Sequence, residues 1–283
     1  MIAGQPSQTM LQTAALRAVH QVLDEPRIFD DPIAVDLISE ASREAILREE
    51  QRYRTPVLTV RRAGVVLRSR FAEDRLAEAA ARGVRQYVIA AAGLDTFPWR
   101  QPGFAREMRI FVTDLPESLA VLQDCVRRRG LPRPANLTYV PIDLERKELL
   151  GPLVAAGFDP NLPMFCSALG IVQFLSAAAV DALLTFAARR AKGSEIVFSF
   201  TPPDDELGER ELKGVRESQL RTQTYGEPWL TRLRPGELTT RLSQLGYCDI
   251  ELLTPELANQ RYFHQRSDGL ASTPSGQMMA ATV

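Results

Sequence analysis

A doubly wound α/β sheet of seven mostly parallel strands, with a helical cap before it and an inserted cap segment within it, is the fold class this sequence predicts. Three observations predict it. Seven short apolar runs rich in β-branched and aromatic residues recur along the chain, bounded by Gly, Pro, Asn and Asp. Stretches of helical periodicity fill the intervals between them, and βαβ alternation in one chain implies parallel pairing. Carboxylates then stand just beyond the second and third runs, at Asp114 and Asp143. In a Rossmann-like sheet of this kind, ligands sit outside the carboxyl ends of the strands where strand order reverses.

Taken in order, Leu11, Ala14, Ala15, Ala18, Val19 and Val22 recur at helical spacing opposite Gln12, Arg17 and Gln21, which predicts an amphipathic helix lying on other structure. Asp30, Asp31 and Pro32 mark a turn into a second helix, with Asp31 as its N-cap and Pro32 in the first turn. Residues 41–62 are rich in Arg and Glu and weakly periodic, and read as a solvated helical region without chemistry. A helix follows from Ala63 to Arg82, stopped by Gly83.

The first strand lies in Gln86–Thr96 (QYVIAAAGLDT), the second is Arg109–Thr113, the third Leu137–Val140 and the fourth Met164–Ala168. Helices are predicted over Glu117–Arg129 and Ala177–Lys192. Glu195–Phe200 (EIVFSF) is the fifth strand, Asp249–Leu253 the sixth and Gln277–Thr282 the seventh, with a helix over Pro235–Leu245 before the sixth. Between strands five and six the polar stretch 206–234 reads as an inserted cap. At 283 residues and 45% apolar, the chain is expected to form one domain over 1–283. Its parts are a helical cap (1–82), a core (83–200), the inserted cap (201–236) and the C-terminal part of the sheet (237–283).

The turn after the first strand selects among cofactors. Backbone N–H groups at the start of a helix are unpaired, and Ala91, Ala92 and Gly93 are small enough to let a ligand approach them. A dinucleotide fingerprint wants three glycines. Here that register offers Ala91, Gly93 and Thr96, which disfavours an NAD-dependent dehydrogenase. A nucleoside ligand without a pyrophosphate asks for one close approach, at Gly93, and an acid about 20 residues on. Asp114 is that acid, and S-adenosylmethionine (SAM) meets both demands.

Thirty-four basic and 35 acidic side chains leave a net charge of −1, so no global field recruits nucleic acid or an anionic membrane, and a small-molecule partner is expected. Cys125, Cys166 and Cys248 are far apart and lack CxxC spacing, so they read as reduced packing residues, and no metal site is expected. The sequence has no run of 18 apolar residues and no signal-peptide pattern, which predicts a cytoplasmic protein.

Several segments together carry a family resemblance: TMLQTAALRAVHQVLDEPRIFDDPIA at the front, then RSRFAED, GVRQYVIAAAGLDTFPWR, VTDLPES, YVPIDLER and YFHQRSDGL. The chain resembles the leucine carboxyl methyltransferase family of class I SAM-dependent methyltransferases, in particular its bacterial small-molecule branch. The resemblance implies SAM as cofactor, S-adenosylhomocysteine as product, and roles for matching positions. Arg68 would pair with the SAM carboxylate, Ala91, Gly93 and Asp95 would surround the methionyl part, and Asp114, with Leu115 beside it, would accept the ribose hydroxyls. Asp143 and Leu144 would contact the adenine. Where the family has Ala-Glu-Gly after the fourth strand, with the glutamate near the methionyl amine, this chain has Ala168, Leu169 and Gly170. One charge-assisted contact worth about 1.5 to 3 kcal/mol is thereby missing. Ala91 also replaces a family glycine.

For chemistry, His20 is the candidate general base and Arg17, three residues before it, the candidate anion holder on the same helix face. Tyr225 and Trp229 are candidate walls for a planar substrate. The expected activity is O-methylation of a carboxylate or phenolic hydroxyl on a small metabolite, such as a natural-product intermediate of secondary metabolism. Leu169 and Ala91 leave open a non-methylating enzyme of lyase or cyclase type, or a ligand-binding protein, on the same fold.

Overall fold

The computed structural model describes residues 7–146 and 148–283; the first six residues of the expected cap lie outside the described residues. Strands β1 (Gln86–Ala90), β2 (Arg109–Asp114), β3 (Leu137–Pro141), β4 (Phe165–Ala168), β5 (Glu195–Phe200), β6 (Asp249–Leu253) and β7 (Gln277–Thr282) form one sheet. Their order is β3-β2-β1-β4-β5-β7-β6. The first five run parallel, and β7 inserts antiparallel between β5 and β6. Strand order reverses between β1 and β4, so the turns after these strands flank a crevice at the carboxyl edge of the sheet.

Helices α1 (Gln8–Leu23), α2 (Ile33–Leu37), α3 (Glu40–Arg48), α4 (Glu50–Tyr53) and α5 (Pro56–Ala81) precede the sheet. Within and after it come α6 (Phe97–Arg100), α7 (Pro116–Arg128), α8 (Leu150–Ala155), α9 (Ala177–Ala188), α10 (Glu209–Thr224), α11 (Pro235–Gln244) and α12 (Pro255–Tyr262). Every residue of β1 is buried, as a central parallel strand covered on both faces requires. Tyr87 and Ile89 pack with Ala18, Val66, Phe71 and Leu119 on one side of the sheet. Val88 and Ala90 pack with Leu153, Leu183 and Leu242 on the other.

Two stretches differ from the sequence expectation. Residues 56–81 are one helix of 26 residues, which takes in the end of the stretch expected to be solvated. Arg62 within it is 1% exposed. Its Nε and Nη2 donate to Asp24 at 2.6 and 2.9 Å, so a distant carboxylate permits the burial that an arginine-rich sequence argues against. The inserted segment carries α10, a helix with Val215 and Thr222 as its buried residues, too few to show an apolar stripe in the sequence. Among the described residues no helix is long and apolar enough to cross a membrane.

Candidate functional site

A cavity of about 1320 Å³ opens over the carboxyl edge of the sheet, walled by α1, α5, α10 and the turns after β1, β2, β3 and β4. Single small-molecule sites are usually 300–1,000 Å³. This one therefore has room for two ligands side by side.

Its floor is the turn Ala91–Thr96. Gly93 (φ 57°) and Ala91 (φ 52°) are both left-handed, so the turn curls tightly and Ala91 carries the steric penalty that glycine would avoid. Thr96 and Asp31 hold this turn in place: the Thr96 hydroxyl donates to the fully buried Asp31 at 2.7 Å, and Arg100 reaches the same carboxylate at 3.2 Å. The Asp31 side chain also accepts from the Ala34 N–H at 3.1 Å, the predicted cap of the second helix. Asp95 accepts from the Phe97 N–H at 2.8 Å and closes the turn from the other end.

Asp114 ends β2 beside this floor. One carboxylate oxygen accepts from the Gly93 N–H and the other from the Leu115 N–H, both at 2.7 Å. Burial pushes its pKa above the usual aspartate value, while these amides and the Ser118 hydroxyl pull it back. Further along the rim, Asp143 accepts from the Glu145 N–H at 3.0 Å and faces Arg146 at 3.5 Å, with Leu144 next to it on the cavity wall.

Across the cavity stands Arg68 of α5. Among the described residues its guanidinium has no hydrogen bond and no carboxylate within 4 Å. Desolvation, and after it the nearby Arg17, pull its pKa down to about 10 against the opposing influence of Asp95. Gly170 (φ 76°) makes room for it, since an added Cβ would lie 2.8 Å from Arg68 Cζ. A partly buried guanidinium without a partner has the charge and donors to take an anion.

Arg68, Ala91, Gly93, Asp95, Asp114, Leu115, Asp143, Leu144 and Leu169 thus all line one cavity, together with Tyr225 and Trp229. Met10 of α1 lies over the turn, with its Cγ 3.1 Å from where a Gly93 Cβ would be, and narrows the space above the glycine without closing it. Tyr225 accepts a hydrogen bond from Gln12 at 2.8 Å, and Trp229 meets Phe174 edge to face. Ala168 is not on the wall: it is fully buried at the end of β4, where the strand faces the second core cluster.

The geometry corrects the expectation for His20. The ring is 0% exposed and off the cavity. Its Nδ1 is 2.8 Å from Asp24, and its Nε2 accepts from the backbone N–H groups of Ile28 and Phe29 at 3.1 and 3.3 Å. Both nitrogens are used, so His20 ties the cap together and has no lone pair left for a substrate proton. Asp24, one helical turn later, was the sequence feature that could have revealed this. Arg17 does line the cavity but is 6% exposed, with Nη2 donating to the Leu94 carbonyl and Nε 3.8 Å from Asp31. It braces the floor instead of reaching an acceptor. The other histidine, His264, is exposed and also off the cavity. Sequence reasoning passed over Arg61 and Arg221, which line the far end.

Known proteins resemble this chain in sequence and in fold. The chain is 27% identical over 293 residues to a Bacillus subtilis (strain 168) protein named "Putative S-adenosyl-L-methionine-dependent methyltransferase YktD", with 96% of each chain covered. It is 33% identical over 211 residues to a Mycolicibacterium gilvum protein named "Putative S-adenosyl-L-methionine-dependent methyltransferase", covering 71% of this chain and 68% of that one. A crystal structure of a putative methyltransferase from Thermobifida fusca superposes with a TM-score of 0.61 at 17% identity, over 99% of this chain and 96% of the other, which shows the shared fold. The sequence profile described as leucine carboxyl methyltransferase matches residues 10–188, and the chain belongs to that family.

Proposed function

We propose that this family member transfers a methyl group from SAM to an oxygen of a small organic acid. The observation that carries the reading is the placement of the unpartnered Arg68 guanidinium and the Asp114 carboxylate on one cavity over the Gly93 turn. These residues fit the cofactor: Arg68 suits its carboxylate, Asp114 its ribose hydroxyls, and Asp143 with Leu144 its adenine edge. When bound, SAM supplies an activated methyl group on a sulfonium, already reactive enough for in-line displacement.

The protein's part is to bind, orient and exclude water. Arg17 and Asp31 keep the floor rigid, while α1 and α10 cover the cavity. Since neither histidine lines the cavity, the acceptor that fits best is one already ionised near neutrality, a carboxylate before a phenol. The cavity wall offers no glutamate at position 169, and loss of that contact weakens affinity by roughly 10- to 150-fold against a site that has it.

A second reading, a repurposed pocket that binds without methyl transfer, draws on Leu169 and on the left-handed Ala91. Titration calorimetry with SAM, followed by detection of S-adenosylhomocysteine with candidate acids, separates the two. Micromolar binding lost in Asp114→Ala and Arg68→Met, with product accumulating, is the expected result. A folded wild-type protein that does not bind SAM overturns the methyl-transfer reading.

A further inference from the structure

Two more half-buried guanidiniums line the same cavity without an acidic partner among the described residues. Arg61 lies on α5 seven residues before Arg68, which on a straight helix is two turns and about 10 Å along the same face. Arg221 lies on α10, in the inserted segment. Arg61 donates to the Ser218 hydroxyl at 3.2 Å, and this neutral oxygen is its one side-chain partner among the described residues. Arg221 has no side-chain hydrogen bond among them, and its Nε is buried and unsatisfied. Neither has a carboxylate within 4 Å, although Glu217 acts on both from further off.

Burial first, and then the charge of Arg221, bring the Arg61 pKa down to about 10, and burial also lowers that of Arg221. Holding two like charges close together in a partly dry wall is unfavourable unless an anion joins them. Structural arginines elsewhere in this chain are settled differently. Arg62 has Asp24 at 2.6 Å, and Arg75 and Arg82 share Glu195 at 2.6 and 2.5 Å.

The geometry points to an anion subsite formed by Arg61, Arg221 and Ser218, which binds an oxyanion of the methyl acceptor at a point remote from the cofactor. The acceptor class is therefore an acid with a second anionic group, a carboxylate or a phosphate monoester, on the end opposite the methylated oxygen. The apolar part between the two ends passes Tyr225 and Trp229, which line the same cavity. This inference rests on the methyl-transfer reading for the identity of the ligand as acceptor, but the anion subsite itself can be tested apart from it.

The test is calorimetric titration of the full-length protein, saturated with S-adenosylhomocysteine, against benzoate, terephthalate, phenyl phosphate and the neutral benzamide. The same titrations follow on Arg61→Met, Arg221→Met and Arg61→Lys. Anionic probes are expected to bind at least tenfold more tightly than benzamide. Each methionine variant should lose at least tenfold of that affinity, with partial rescue in Arg61→Lys and an unchanged affinity for S-adenosylhomocysteine. The order of benzoate and phenyl phosphate identifies the oxyanion. Equal binding of benzamide, unchanged anion affinity in both methionine variants, or no anion binding at millimolar concentration overturns the subsite. If S-adenosylhomocysteine fails to bind while the anions still do, the methyl-transfer reading falls and the subsite stands.

Discussion

The Arg68 guanidinium occupies the volume that a side chain on Gly170 would need, with Cζ 2.8 Å from the position of a Gly170 Cβ. Gly170 follows β4 and Arg68 sits on α5, so a turn of the sheet and a helix of the cap meet here without a hydrogen bond between their side chains. Gly170→Ala is expected to displace the flexible guanidinium and not to unfold the chain, because the obstructed atoms are at the end of a long side chain. The left-handed backbone at φ 76° adds a penalty of about 1 to 2 kcal/mol. SAM affinity should drop at least tenfold, with melting lowered by a few degrees. Unchanged calorimetric affinity would show that Arg68 does not hold the ligand.

Ala91→Gly tests the strain in the floor. Relief of the left-handed alanine is worth about 1 to 2 kcal/mol, and the extra freedom of glycine in the unfolded chain costs about 0.4 to 1 kcal/mol. Strain relief is the larger effect, so the variant is expected to melt slightly higher than wild type in calorimetry. A lower melting temperature would refute the strained assignment.

The strands were legible from sequence because parallel strands covered on both faces have to be continuous apolar runs. EIVFSF is such a run and stands where it was read; DIELL and QMMAAT, which pair antiparallel at the end of the sheet, also stand where they were read, marked by the turn residues that bound them. The rim acids were legible for the same reason, since each follows the end of such a run. What the sequence concealed depends on partners far apart in the chain. Arg62 is buried because Asp24 neutralises it, and α12 (PELANQRY) is too short to show a periodicity. Arg61 was hidden as well, since its meaning comes from Arg221, 160 positions away on a helix with no apolar stripe. His20 was misread because, beside Asp24, its partners are two backbone amides that only the folded cap presents.

Acid should loosen the cap through Asp24. Burial alone would raise its pKa, but hydrogen bonds from His20 and Arg62 and the Arg62 charge outweigh this and hold it below the usual value. A lowered folded-state pKa stabilises the protein above the unfolded-state value near pH 4 and stops doing so as pH falls through the folded value. Asp24→Ala is expected to cost about 3 to 5 kcal/mol, because Arg62 is left buried and unpaired. It should also flatten the acid limb of stability below about pH 4. Denaturant melts at several pH values would show this, and an acid limb identical to wild type would refute it.

Glu227, in the inserted segment, accepts from the Gln8 and Thr9 N–H groups at 2.9 and 3.3 Å and from the Ser7 hydroxyl at 3.2 Å, so it fastens the start of α1. Glu227→Ala is expected to cost about 1 to 3 kcal/mol. Hydrogen exchange should quicken in the first turn of α1 and stay slow in β1. Uniform quickening across both would mean that the contact supports the whole fold and not the cover of the cavity.

Helix α5 runs unbroken for 26 residues. Arg61 and Arg68 ride on the same helix, so the spacing between these two guanidiniums works as a ruler of fixed length. Within a series of diacids differing by single methylenes, turnover should peak at one chain length and fall on either side. Transplanting α5 together with α10 into a relative should carry that preferred length with it.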